Sequence, residues 1–241
     1  MSFVVIALSF ALQWFLNLSS GPYQKPWAPQ YVAWMKKRFS SLMQGHGVFT
    51  VLILVLPILI VMSLFFTLVY HLFGHFGYLI FSLLLFWYCV DITELRVRSK
   101  SELSAEQFLL HSYQKIFSPL LWYFVTGPVG LTLSVVIGLF EKEFQGQKYF
   151  VLASQVVDWV PVRLLGLTFA LAGNFGTVFK LWIKNLMRGL ADEKEMVLVM
   201  AKEALGVDKM LLLSDVIGLI HRTVLIWLVL IALLSISGWI G

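Results

Sequence analysis

Two ionisable residues stand inside an otherwise apolar stretch, VVDWVPVRLLG at 156–166: Asp158 and Arg163. A charge at mid-bilayer costs about 2.5–3.5 kcal/mol at least, so such residues need a structural or chemical reason. On a regular helix, positions 158 and 163 point about 140° apart. They share a face only if Pro161 breaks the helix between them. Proline lacks an N–H and suits a first turn, which would make Asp158 the N-cap of a new helix. Trp159 precedes Arg163 by one helical turn and offers a ring for the guanidinium to stack on. Structurally, Asp158 would cap and Arg163 would reach lipid phosphates. Functionally, the two would line a polar pocket for a charged ligand. Residues alone leave both open.

A second unusual stretch is SPLLWYFVTGPVG at 118–130, with Ser118, Pro119, Gly127, Pro128 and Gly130. Its Gly-Pro-Val-Gly run either opens a loop at which a ligand meets backbone or kinks a helix where another packs closely. The kink is the expectation. No phosphate-binding Gly-Lys-Ser/Thr loop, nucleophile elbow or zinc-binding His-Glu-x-x-His helix occurs, so no catalytic residue is assigned. The single cysteine, Cys89, lies in an apolar run and reads as a packing residue. The five histidines lack zinc-ligand spacing, so no metal is expected, and the residues name no cofactor.

The elements that must position these residues are hydrophobic helices. The chain has 241 residues, of which 59% are hydrophobic and 13% charged, and its mean hydropathy is +0.85. Soluble domains average roughly 45–50% apolar and about 25% charged. The expected fold class is therefore all-α, a polytopic membrane bundle forming one domain over 1–241. Spans are expected at about 1–17, 47–73, 75–90 and 223–241. The first run lacks the basic start and cleavage site of a signal peptide and is taken as retained. The turn Gly74–Gly77 makes the second and third runs a helical hairpin. Segments 116–140 and 149–173 either cross as a pair or lie re-entrant at the cytoplasmic face. Broken helices embedded in the membrane are preferred, because irregular backbone is tolerated where protein encloses it.

Positive charge sets the orientation. With the N-terminus outside, 18–46, 91–115 and 180–222 are cytoplasmic and hold 15 of the 18 Lys and Arg residues. Lys142 and Lys148 then fall outside, and Arg163 lies within a span. Both termini are periplasmic in this arrangement. In 29–44, Tyr31, Trp34, Met35, Phe39 and Leu42 recur at helical spacing opposite Lys36, Lys37 and Ser40. This predicts an amphipathic helix in the headgroup layer, with Pro29 in its first turn. The segment 191–205 reads as a solvated helix of a cytoplasmic helical insert, ended by Gly206.

The run VVDWVPVRLLGLTFALAG (156–173) resembles the signature of the AmpE family of bacterial inner-membrane proteins. SPLLWYFVTGPVG is similar to that family's preceding motif, and the hairpin and last helix fit the same plan. The resemblance implies an inner-membrane signalling or accessory protein linked to β-lactamase induction and cell-wall stress, with no enzymatic activity. The same superfamily includes the CobD/CbiB synthases of cobalamin assembly, adenosylcobinamide-phosphate synthases, which are the alternative. GPYQKPWAPQYVAW (21–34) is similar to one of their loops, and IHRTVLIWLVLIAL (220–233) to their last helix. Their acidic Glu-Asn-x-x-Asp-Gly run is replaced by HSYQKIF (111–117), and Ser20-Gly21-Pro22 stands where they keep Gly-Asp-Pro. Acid–base and metal–phosphate chemistry would lack its carboxylates. The implied partners are the bilayer and either an anionic small molecule or a cytoplasmic or membrane protein. Nucleic acid is not among them. A small-molecule transporter, the third class, would be expected to carry an inverted repeat, which the sequence lacks.

Overall fold

The computed structural model describes residues 2–16, 27–38, 47–90, 92, 104–144, 147–186, 189, 193–206 and 211–237, and among them there is helix and no strand. The helices are α1 (Ser2–Leu16), α2 (Trp27–Arg38), α3 (Val48–Cys89), α4 (Ala105–Ser112), α5 (Ser118–Glu143), α6 (Lys148–Ala172), α7 (Phe175–Leu186), α8 (Glu193–Leu205) and α9 (Leu213–Ile236). A π-helical turn, Tyr113–Phe117, joins α4 to α5 without interruption. Among the described residues, four helical stretches are long and apolar enough to cross a membrane: Val48–Cys89, Ala105–Glu143, Lys148–Ala172 and Leu213–Ile236. At 42 and 39 residues, the first two far exceed the roughly 20 that one crossing needs.

Both long stretches are folded. In α3, Gly74 has φ 61° and ψ −154°. Phe65 meets Phe81 at a centroid distance of 5.4 Å, and Phe66 meets Tyr78 at 5.5 Å. A straight helix would hold positions 65 and 81 about 24 Å apart, so the two limbs run antiparallel about Gly74. This is the expected hairpin, and its tip is a glycine because a left-handed φ penalises any Cβ.

The same device recurs in α5, where Gly127 has φ 69° and ψ −150°. A Cβ added to Gly130 would lie 2.5 Å from the carbonyl oxygen of Trp122, a contact only a reversed chain can make. The expected kink is thus a full reversal, and Gly130 is the residue that lets the returning limb press against the outgoing one. The two tips abut: a Cβ on Gly127 would stand 3.4 Å from the Tyr78 hydroxyl.

Pro161 does not break α6, which runs unbroken through it. A proline in a helix interior removes the N–H that the carbonyl one turn earlier would accept. Here that carbonyl belongs to Val157, and the indole N–H of Trp122 donates to it at 3.2 Å. A neighbouring helix thereby replaces the lost bond, as an apolar surrounding requires.

On α2, the face that packs inward is Ala28, Val32 and Met35, all buried, while Trp34 is 58% exposed. Of the expected apolar stripe, Met35 packs on the bundle and Trp34 stays outward, while Phe39 and Leu42 lie outside the described residues. The Tyr31 ring stacks on Phe140 at 6.1 Å, and its hydroxyl donates to the Leu54 carbonyl at 3.0 Å. Partial burial there pushes the Tyr31 phenol above its ordinary pKa. On α1, the Gln13 amide closes the end of α3 by donating to the Val90 carbonyl and accepting from the Ile92 N–H.

The helix at 193–205 is not solvated all round. Val197, Met200, Ala201 and Ala204 are buried against the bundle. Gly166 on α6 and Gly173 just after it make room for it, since a Cβ would come 2.2 Å from Met200 Sδ and 2.3 Å from the Ala204 carbonyl oxygen. Small residues at such seams let helices pack at short range where there is little water to expel. Gly206, with φ 66°, ends α8 as expected.

Candidate functional site

Among the described residues, polar and charged side chains cluster where α5, α6 and α8 meet, beginning at Asp158. The Asp158 side chain is buried where α5 crosses α6. Ser118 donates to its Oδ1 at 3.1 Å, and Ser154 stands 3.1 Å from its Oδ2. Ser154 also lies 3.0 Å from Oε2 of Glu141. Asp158 therefore caps no helix. It ties the outgoing limb of α5 to α6, while Glu141 brings in the returning limb. Ser118 and Glu141 would be about 34 Å apart on a straight helix, and the reversal at Gly127 is what delivers both to one turn of α6.

A hydroxyl has one proton to donate. Ser154 faces two carboxyl groups, so with both ionised one of its contacts goes unfilled. A single proton on either acid completes both bonds. Tyr113, on the π-helical turn, faces Asp158 and Ser118 from the far side, and its hydroxyl makes no hydrogen bond of ordinary length and angle.

Arg163 is buried one and a half turns further along α6. Its Nη1 is paired with the Glu193 carboxylate and lies 3.2 Å from the Trp159 carbonyl oxygen. Its guanidinium carbon sits 4.7 Å from the centroid of the Trp159 ring, the stacking expected from their spacing. Its own carbonyl accepts from Trp182 Nε1 at 2.7 Å. Glu193 is the first residue of α8, where the helix dipole favours a negative charge. The next residue, Lys194, pairs with Glu141. Two successive residues of α8 thus hold α6 and the end of α5, and a third pair, Lys202 with Glu106, fastens α8 to α4 at 2.6 Å.

Of the residues that stand out in the sequence, Ser118, Asp158, Trp159 and Arg163 belong to this chain of contacts. Pro119 is buried in the first turn of α5. Pro161 enters through the Trp122 bond, and Gly127, Pro128 and Gly130 act through the reversal. Sequence reading missed Glu141, Ser154, Trp182, Glu193 and Lys194. The signal available was the charge cluster on either side of the spans: EKE at 141–143 and DEKE at 192–195.

No group of three or more His, Cys, Asp or Glu side chains able to hold a metal occurs among the described residues. A cavity of about 1030 Å³ lies between α2, both limbs of α3 and the returning limb of α5, walled by Trp27, Tyr31, Leu52, Tyr88 and Val136. Another of about 650 Å³ lies between α1 and α9. Both are apolar, and neither is lined by Asp158 or Arg163. Comparison with protein-family models, with curated proteins and with solved structures finds no match to this chain.

Proposed function

We propose that this chain is a multi-pass protein of the bacterial inner membrane with an AmpE-like role, a non-enzymatic signalling or accessory component of β-lactamase induction and cell-wall stress. The observation that carries the proposal is the buried pair Arg163–Glu193. It makes the DWVPVR motif a lock between a candidate span and the helix of the basic segment. A site whose charges are engaged with one another suits transmission of a packing change better than turnover of a substrate.

Membrane insertion is part of the proposal, supported by four apolar stretches of spanning length and by outward-facing Leu64, Leu68, Leu225 and Leu233. So is the orientation, with both termini periplasmic and the basic regions cytoplasmic. The Glu141–Lys194 pair supports the re-entrant arrangement, in which α5 and α6 enter from the cytoplasmic face without crossing and the connection carrying Lys142 and Lys148 is cytoplasmic too. The cytoplasmic face then offers Lys and Arg to an acidic protein partner or an anionic ligand.

Deleting the gene should alter β-lactamase induction or muropeptide handling and leave cobalamin-dependent growth unchanged. If the gene instead restores growth to a strain lacking its cobalamin synthase, the chain is an enzyme of the CobD/CbiB kind and the signalling role is wrong.

A further inference from the structure

The hydrogen bonds around Asp158 leave one oxygen and one charge over. The oxygen is that of Tyr113, whose side chain is fully buried and whose hydroxyl faces Asp158 and Ser118 without an ordinary hydrogen bond. A buried hydroxyl in that state is costly, so its position needs a reason. The π-helical turn is what brings it there. The Ser118 N–H donates to the Tyr113 carbonyl five residues back, which sets residue 118 over residue 113. On a regular helix the two would point about 140° apart. A single π turn inside a longer helix often marks a functional site.

The charge is that of Asp158 itself. Glu141 is paired with Lys194, and Glu193 with Arg163. Among the described residues, no lysine, arginine or histidine pairs with Asp158. A carboxylate buried without a counter-charge is costly, and either a proton or a cation relieves it. A proton shared between Ser154 and the two acids makes no use of Tyr113. A cation does. Asp158, Ser118, Ser154 and Tyr113 offer it oxygen alone, the ligand type of hard cations. With its lone pair on the ion, Ser154 is also free to give its one proton to Glu141. A single uncompensated negative charge calls for a single positive one.

We propose that the Asp158 cluster binds a small monovalent cation, sodium, through the Asp158 carboxylate and the hydroxyls of Ser118, Ser154 and Tyr113. The ion ties the turn before α5 to α6, and through Ser154 and Glu141 it adjoins the lysine contact that holds α8. The assignment rests on these contacts and requires neither the signalling role nor membrane insertion.

The full-length chain, purified in detergent micelles in choline chloride, is titrated with radioactive sodium. Its thermal unfolding is followed in parallel as sodium chloride replaces choline chloride at constant ionic strength and pH. A single class of saturable site and an unfolding midpoint that climbs with sodium are expected. Asp158→Asn should abolish both. Tyr113→Phe should weaken binding about ten-fold, the loss of one buried polar contact. In choline alone both variants should unfold as the parent does, which separates loss of the ion from loss of the fold. Sodium binding that survives both substitutions puts the ion elsewhere and overturns the site. Absence of saturable binding overturns it too, and a midpoint that then moves with pH but not with sodium assigns the cluster to a proton.

Discussion

The indole N–H of Trp122 donates to the carbonyl oxygen of Val157 across 3.2 Å, in the place of the backbone N–H that Pro161 lacks. A proline in α6 and a tryptophan in α5 therefore form one feature, and neither is explained without the other. Trp122→Phe should destabilise the protein by about 1–3 kcal/mol, the cost of an orphaned buried acceptor. In a Pro161→Ala background the restored N–H can serve Val157, so the same substitution should cost markedly less. Unfolding of the four variants in micelles measures this, and simple additivity would contradict it.

Asp158 accepts hydroxyl protons and caps nothing, which changes what its substitutions should do. Asparagine can accept from Ser118 and donate to Ser154, leaving the Ser154 proton for Glu141. Asp158→Asn should then be close to neutral, whereas Asp158→Leu takes the acceptor from the buried Ser118 hydroxyl and should cost about 1–3 kcal/mol. Thermal unfolding of the two variants distinguishes them. Equal losses would show that the carboxylate charge, and not its hydrogen bonds, holds the crossing.

Glycine positions give a graded test of the packing. Gly127→Ala places a Cβ on a left-handed residue and should cost about 1–2 kcal/mol. Gly173→Ala drives a methyl group against the Ala204 backbone and should cost about 1–3 kcal/mol by overpacking. A Cβ on Gly138 would meet no atom within 4 Å, so Gly138→Ala should be neutral or stabilising by up to about 1 kcal/mol. The expected order of stability, read from thermal unfolding, is Gly138→Ala above the other two.

The fold of α5 also makes a prediction about sidedness. Single cysteines at 148 and 194, in a Cys89→Ser background, should both resist an impermeant thiol reagent on intact spheroplasts and react after lysis. Labelling of 148 from outside, with 194 protected, would mean that the connection after α5 crosses to the periplasm.

Much of this architecture is legible in the residues, and the gaps have physical causes. The hairpin at Gly74 shows because a Gly-His-Phe-Gly run separates two long apolar runs. Gly127 carries the same backbone conformation yet reads as a kink. Its reversal depends on Gly130 meeting Trp122, and no local period encodes that contact. Asp158 and Arg163 stand out as charges in an apolar run, and the Trp159 stack follows from helical spacing. Their partners stay hidden because Glu141 and Glu193 sit in charge-rich stretches where a buried acid looks like its solvated neighbours. The amphipathic α7 is missed because its first residues prolong the apolar run of α6.

A buried ion pair holds α8 on α6, and a double-mutant cycle on Arg163 and Glu193 tests this most directly. Removing one partner of a buried pair strands the other and typically costs about 3–5 kcal/mol. Arg163→Met and Glu193→Gln should each approach that loss, while the double variant should be no worse than either, because no uncompensated charge remains. A coupling of about 2 kcal/mol or more between the two positions is the predicted result. Losses that add to within about 0.5 kcal/mol, the behaviour of independent sites, would contradict the lock and the role built on it.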